Sequence, residues 1–207
     1  MADVVGPVSA FSERGLVRIK FGRYRARPPG RRPSFAPMSS GRRSGRHRMS
    51  NETLEATITV AAPAEAVFAV LTDPASHPAI DGTGWVSKAL DTAPLTGSGQ
   101  IFRMGMYHAN HPDGTYEVAN RVVTFEPPRA ISWEPGQEVE GDEGRQAGGW
   151  IWRYDLARRS ASSTEVTLTY DWSAVPSSVR EYITFPPFPV DHLTNSLRHL
   201  AELATRQ

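Results

Sequence analysis

The chain has 207 residues, with 23 Lys and Arg, 22 Asp and Glu and no cysteine, which excludes disulfides, thiolate metal sites and a cysteine nucleophile. The near-zero net charge conceals an asymmetry: residues 1–48 hold twelve Lys and Arg against Asp3 and Glu13, a net of +10, whereas residues 49–207 hold eleven against twenty acids, a net of −9. No stretch approaches the roughly 18 apolar residues of a membrane span, and the basic N-terminus lacks the apolar segment of about 7–15 residues of a secretory signal, so a soluble, cytoplasmic protein is expected.

Residues 1–48 form a basic extension, and from Gly22 onward Arg, Pro, Gly and Ser dominate it with few large apolar side chains. Such a composition cannot bury enough apolar surface to offset its ordering entropy, so the extension is expected to be disordered. Three readings of it stay open: a phosphate-gripping arm, a targeting peptide, or sequence upstream of a native start at Met49. Residues 49–207 are expected to be one domain, long enough to bury a sizeable core.

The elements of that domain follow in order. Thr53 to Val60 alternates, with Leu54, Ala56, Ile58 and Val60 on one face, as a half-buried strand does. Pro63 can open a helix whose apolar stripe is Ala66, Val67, Val70 and Leu71; Asp73-Pro74 closes it and starts a shorter one. Ile80 to Gly84 is a glycine-containing turn. Strands are then expected at Trp85–Leu90, Gln100–His108, Thr115–Phe125, Ala130–Glu134, Trp150–Leu156 and Thr164–Trp172, with an acidic loop over Gly136–Gly149. Val190 to Arg206 has Leu193, Leu197, Leu200, Leu203 and Ala204 on one broad face, predicting a helix of about 17 residues. The order β-α-α-β6-α is an α+β fold in which a curved antiparallel sheet of about seven strands buries its inner face around the long C-terminal helix.

Strand parity then assigns the lining. It places Phe102, Met104, Met106 and His108 on one face, followed by Tyr116, Val118, Asn120 and Val122, then Ile131 and Trp133, Trp150, Trp152, Tyr154 and Leu156, and finally Val166, Leu168, Tyr170 and Trp172. Leu193 and Leu197 of the helix face them. This concentration of rings suits either a filled core or a pocket for a flat or extended apolar ligand. His108 and Asn120 are the polar members, each costing on the order of 1–3 kcal/mol if buried unpaired. With Tyr116 they are the candidates for orienting a ligand or moving a proton. Arg103 and Arg121 fall on the outer parity, in reach of carboxylates such as Glu117.

The pieces Ala62-Pro63-Ala64-Glu65-Ala66-Val67-Phe68, Asp73-Pro74 with His77-Pro78, Asp81-Gly82-Thr83-Gly84 and Asn120-Arg121-Val122-Val123 before Phe125-Glu126-Pro127 resemble the START-like polyketide cyclase/dehydrase and lipid-transport group, the SRPBCC proteins. Ile131-Ser132-Trp133, Gly149-Trp150 and Tyr170-Asp171-Trp172 leading to Phe185-Pro186-Pro187-Phe188 extend the likeness over residues 52–207. The resemblance implies the helix-grip fold and a hydrophobic cavity between sheet and C-terminal helix, but no particular reaction, because the group spans carriers and cyclases.

Three functions are therefore open: a binder of a small lipid or polyketide-like molecule, a cyclase/dehydrase-type enzyme using His108, Asn120 or Tyr116, and a non-catalytic interaction or stress-response module. No glycine-rich phosphate loop follows a strand, so no nucleotide cofactor is expected. The spacing of His77, Asp81 and His111 matches no metal motif, and Ser173 with Asp191-His192 lacks a nucleophile elbow. The folded domain is too acidic to grip nucleic acid, and it is expected to be a monomer or homodimer.

Overall fold

The computed structural model describes residues 46–49, 52–109, 111, 113–138 and 145–206. Residues 1–45 of the basic extension lie outside the described residues, while Arg46–Met49 forms a strand (β1) that crosses the expected boundary at residue 48 and pairs antiparallel with β2, Thr53–Val60.

The remaining strands are β3 (Val86–Ala89), β4 (Ile101–Tyr107), β5 (Thr115–Glu126), β6 (Ala130–Glu134), β7 (Gly136–Glu138), β8 (Arg145–Ala147), β9 (Ile151–Ser160) and β10 (Ser163–Asp171). The seven strands read from the sequence make one open antiparallel sheet, with β1 added at its edge in the order β1-β2-β10-β9-β6-β5-β4-β3. The helices are α1 (Ala64–Thr72), a 3-10 turn at Pro74–Ser76, α2 (His77–Ile80), α3 (Ser177–Arg180) and α4 (His192–Ala204). The fold is α+β, of the helix-grip type.

Each element follows from its local sequence. Pro63 stands at the N-cap of α1, whose buried face is Val67, Phe68, Val70 and Leu71. Asp73 ends that helix and accepts from the Ala75 N–H at 2.9 Å and the Ser76 hydroxyl at 3.0 Å, which turns the chain into α2. In β10 burial alternates at Thr164, Val166, Leu168 and Tyr170, as a strand with one covered face requires.

Helix α4 is shorter than its apolar pattern suggested. It spans 13 residues, or about 20 Å, capped by Asp191 at its start and by Thr205 at its end. Leu193, Leu197 and Leu200 are fully buried on its inner side. The helix packs against β2 and α1 near one end of the sheet and against α2, which also meets β3 at the other end. The β2 end of the sheet thus reaches α4 and the β3 end reaches α2, which packs on α4, so the sheet bends around α4.

The acidic loop is more ordered at its flanks than its composition suggested. Gly136–Glu138 and Arg145–Ala147 pair as a two-stranded hairpin, and residues 139–144 lie outside the described residues. Arg145 docks this hairpin on the outer side of the sheet: its guanidinium donates to the carbonyl of Ala119 at 2.9 Å, to the carbonyl of Glu134, and to the Glu134 carboxylate at 3.4 Å. Arg103, expected near Glu117, instead makes a two-pronged pair with Asp91 at 2.8 and 3.0 Å. Asp91 lies in the loop after β3 and also receives the Arg103 N–H at 2.8 Å, so proximity along the edge hairpin outcompetes the strand neighbour.

The turn Asp81-Gly82-Thr83-Gly84 clasps α4. The Gly82 N–H donates to the Ser196 hydroxyl at 3.0 Å, and a Cβ on Gly82 would stand 2.8 Å from the Ser196 backbone nitrogen and against the His192 carbonyl. Only a residue without a side chain allows this approach. We expect Gly82→Ala to lower the unfolding free energy by about 1–3 kcal/mol through forced displacement of α4, and Ser196→Ala by about 1 kcal/mol through the lost bond. Urea denaturation of both variants measures this, and a Gly82→Ala protein as stable as the parent would contradict the close-approach argument.

Candidate functional site

The inner face of the sheet carries the rows that strand parity assigned. Phe102, Met104, Val122, Ile131, Trp133, Tyr154, Leu156, Val166, Leu168, Tyr170 and Trp172 are buried, while Met106, Tyr116, Val118, Trp150 and Trp152 are half-buried. Parity fails at one place. The register between β5 and β6 slips between Val122 and Thr124, which leaves Val123 exposed and turns Phe125 inward against Phe68, ring centroids 5.5 Å apart.

The rings form two linked groups. In the first, His77 stacks on Trp133 at 5.0 Å, Trp133 stacks on Tyr154 at 5.6 Å, and Phe102 meets both His77 and Trp133 edge-on. In the second, Phe188 is the hub, within 4.5 Å of His192, 4.9 Å of Tyr170, 5.5 Å of Trp152 and 6.4 Å of Trp85, centroid to centroid. Such offset and edge contacts each contribute about 0.5–1.5 kcal/mol beyond area burial.

Phe188 and His192 were not among the residues assigned to the site from sequence. Phe188 lies in an irregular segment, where alternation gives no face; its signal was the run Phe185-Pro186-Pro187-Phe188-Pro189, which cannot form a helix and must pass the sheet as an extended strap. His192 opens α4, and its aspartate neighbour drew attention to a catalytic pairing that helix geometry forbids.

The polar candidates have separate fates. Asn120 is buried, with its amide N–H donating to the Phe102 carbonyl at 3.4 Å across the β4–β5 pair. His108 lies just past the end of β4, half-buried, with its ring edge-on to Trp85 at 4.6 Å. Tyr116 is half-buried under His111, the rings stacked at 4.8 Å. The structure thus puts Asn120 between strands and brings His108 and Tyr116 to the β3–β5 end of the lining.

His77 is a core residue, 5% exposed, with Nε2 2.9 Å from the Leu71 carbonyl. No group of three or more metal-ligating side chains is found among the described residues. Asp81 is a turn organiser: one oxygen accepts from the Thr83 N–H at 3.1 Å, and the other from the Trp85 and Val86 N–H groups at 2.6 and 2.9 Å.

Electrostatics distinguish this region from an ordinary core. Burial raises the hydroxyl pKa of Tyr116 and Tyr154, and the negative charge of Asp81 adds to it. Burial lowers the imidazole pKa of His192, and the same aspartate opposes that shift. Tyr116 on β5, Tyr154 on β9 and His192 on α4 are thus all held toward their neutral forms, chiefly by burial. His192 Nδ1 is buried without a well-formed hydrogen bond. Together these groups can hold a neutral ligand oxygen by hydrogen bonds, or exchange a proton with it.

No family model matches the chain. The uncharacterized protein Rv0088 of Mycobacterium tuberculosis H37Rv is 28% identical over 118 residues, which is 57% of this chain and 46% of that protein. The match thus spans about half the length of the curated relative. Among solved structures, Ms6760 from Mycobacterium smegmatis superposes with a TM-score of 0.55 at 16% identity, over 79% of this chain and 97% of that one. A Rhodobacter sphaeroides protein gives 0.54 at 22%, over 79% and 99%. The Zhui aromatase/cyclase from Streptomyces sp. R1128 gives 0.51 at 20%, over 74% and 93%. At such identities the likeness shows the fold, and it is the helix-grip architecture that the sequence resemblance implied.

The two buried imidazoles impose a direction on stability against pH. His77 and His192 both have pKa values lowered by burial, so the unfolded chain binds more protons than the folded one once pH drops below about 6.5. Stability is full above that value and is lost progressively as pH falls toward the lower folded values. We expect the urea midpoint to decrease from pH 7.5 to pH 5.5, and His77→Gln to flatten that slope while lowering the midpoint at pH 7.5. A midpoint unchanged across this interval would contradict the burial of neutral imidazoles.

Proposed function

We propose that the protein binds a small hydrophobic molecule, lipid or polyketide-like, between the bent sheet and α4. One observation carries this reading: the lining is built from rings, and buried hydrogen-bonding atoms stand among them, with His192 Nδ1 lacking a well-formed hydrogen bond, the Gly82 backbone only drawing near the ring, beside Trp152 and Phe188. A core selected only for packing would replace such a group with an apolar one, since an unmet buried donor or acceptor costs on the order of 1–3 kcal/mol. A ligand oxygen meets that need. The helix-grip architecture supports the reading, because a sheet bent around a single helix can enclose a ligand site. On this reading the protein works in the cytoplasm as a monomer or homodimer, and no helix among the described residues is long and apolar enough to cross a membrane.

A second reading, proton transfer on a bound ring or chain, is favoured by the ionisable side chains that the lining carries, half-buried Tyr116 and buried Tyr154 and His192. The likeness in fold to an aromatase/cyclase is compatible with it. Holding a reactive chain in a folded geometry contributes several kcal/mol by itself, so few polar groups suffice. His108, at the same end of the lining, is a further candidate for such a role.

Nile red, a neutral lipophilic fluorophore, should bind the full chain with a blue-shifted emission. Val118→Trp, which adds bulk at a half-buried lining position, should weaken binding at least tenfold while leaving the far-ultraviolet circular dichroism intact. No binding by any apolar compound in fluorescence or thermal-shift titrations would overturn the proposal.

A further inference from the structure

The distribution of cations indicates which ligands this lining can accept. From Met49 onward the sequence has eleven Lys and Arg, and every one of them is a described residue. Eight of them form ion pairs with carboxylates. Of these, only Arg145 has a guanidinium less than one tenth exposed, and it lies under the hairpin on the outer side of the sheet, held by the Ala119 and Glu134 carbonyls. Arg198 is exposed and bonds Asn195, and Lys88 and Arg121 are exposed. Among the described side chains of residues 49–207, therefore, no lysine or arginine is buried against the inner face.

An anion stands in the turn at the edge of that face. Asp81 holds the Trp85 backbone at 2.6 Å, and its neighbour Gly82 rests against His192. Trp85 and His192 are the two sides between which Phe188 packs. The Asp81 carboxylate is bound by N–H and hydroxyl groups, whose dipoles hold its charge without cancelling it. The imidazoles behind it, His77 and His192, are held toward the neutral form by burial, so they supply no compensating positive charge at neutral pH.

We propose that the lining selects by charge: it takes an uncharged or cationic apolar molecule and rejects carboxylates, sulfonates and phosphates, with Asp81 as the specificity-determining residue. A free fatty acid or a phosphorylated headgroup brought to this face would leave water, find no counter-ion and meet a carboxylate, three penalties of one sign. A sterol-like, phenolic or amine-bearing ring system meets none of them, and the faces of the lining rings favour a cation. The inference rests on the ligand-binding reading above and narrows the class of molecule.

The test compares two dyes of one skeleton, N-phenyl-1-naphthylamine, which is neutral, and 8-anilinonaphthalene-1-sulfonate, which is anionic, on the full chain. Binding is read by energy transfer from the tryptophans. The neutral dye should bind at least tenfold more tightly. Asp81→Asn, whose amide oxygen can still accept from Trp85 and Val86 while its nitrogen gives up the bond from the Thr83 N–H, should narrow that ratio at least threefold. Should that variant fold poorly, raising the salt concentration on the unaltered protein does the same work, since screening should favour the sulfonate relative to the neutral dye. Equal affinities for the two dyes, or a ratio insensitive to both Asp81→Asn and salt, overturn charge selection and leave ligand binding standing. Failure of both dyes to bind overturns both readings.

Discussion

The fold depends on one close approach, that of the Asp81-Gly82 turn to the first turn of α4. A single sheet with a helix on one face is an open structure, and its far strands have no reason to return to the helix unless something ties them there. Here the tie is the Gly82 N–H on the Ser196 hydroxyl, with Asp81 gathering the N–H groups of Trp85 and Val86 as β3 begins. The turn thus joins the edge strand to the helix that the opposite end of the sheet already covers. Remove it and the inner face becomes a half-open surface, with its rings toward water.

Given that closure, the character of the interior follows from which side chains alternate inward. Aromatic rings on β4, β6, β9 and β10 meet one another and the strap residue Phe188, which four neighbouring rings surround. Rings pack well in several relative orientations, because edge and face contacts are of similar strength. A lining of this type can accommodate displacement of one member more readily than an interlocked aliphatic core, which is the physical basis for reading it as a recognition surface. The buried imidazole of His192 and the hydroxyls of Tyr116 and Tyr154 then give that surface a polar focus.

Charge is partitioned as strictly as hydrophobicity. Most of the described arginines on the strands close ion pairs with carboxylates, largely solvent-exposed and individually worth little, about 0–1 kcal/mol. Among the described side chains of residues 49–207 no lysine or arginine is buried against the inner face, and Asp81 is the formal charge in the turn at its edge. The domain's net acidity, read at first as a statement about partners such as nucleic acid, is in this way also a statement about the inside.

Much of this was legible in the amino-acid sequence because the relevant physics is local. A period of two placed Phe102, Met104, Trp133, Tyr154 and Tyr170 on one face, and a period of 3.6 gathered Leu193, Leu197 and Leu200 on another; both follow from backbone geometry alone. Asp73-Pro74 and Asp81-Gly82 are turns for reasons contained within a few residues. The sequence by itself therefore determined the seven strands and the main helices of the lining, their inward sides and the placing of Arg103 and Arg121 off the lining rows. Only the tertiary structure decided what those sides meet. It turned Phe125 inward through a bulge, drew Arg103 to Asp91, buried His77 against Leu71, and set Phe188 and His192 at the centre of the rings. Each of these depends on a partner distant in the chain or on irregular backbone, where periodicity carries no information and the contact itself selects the conformation.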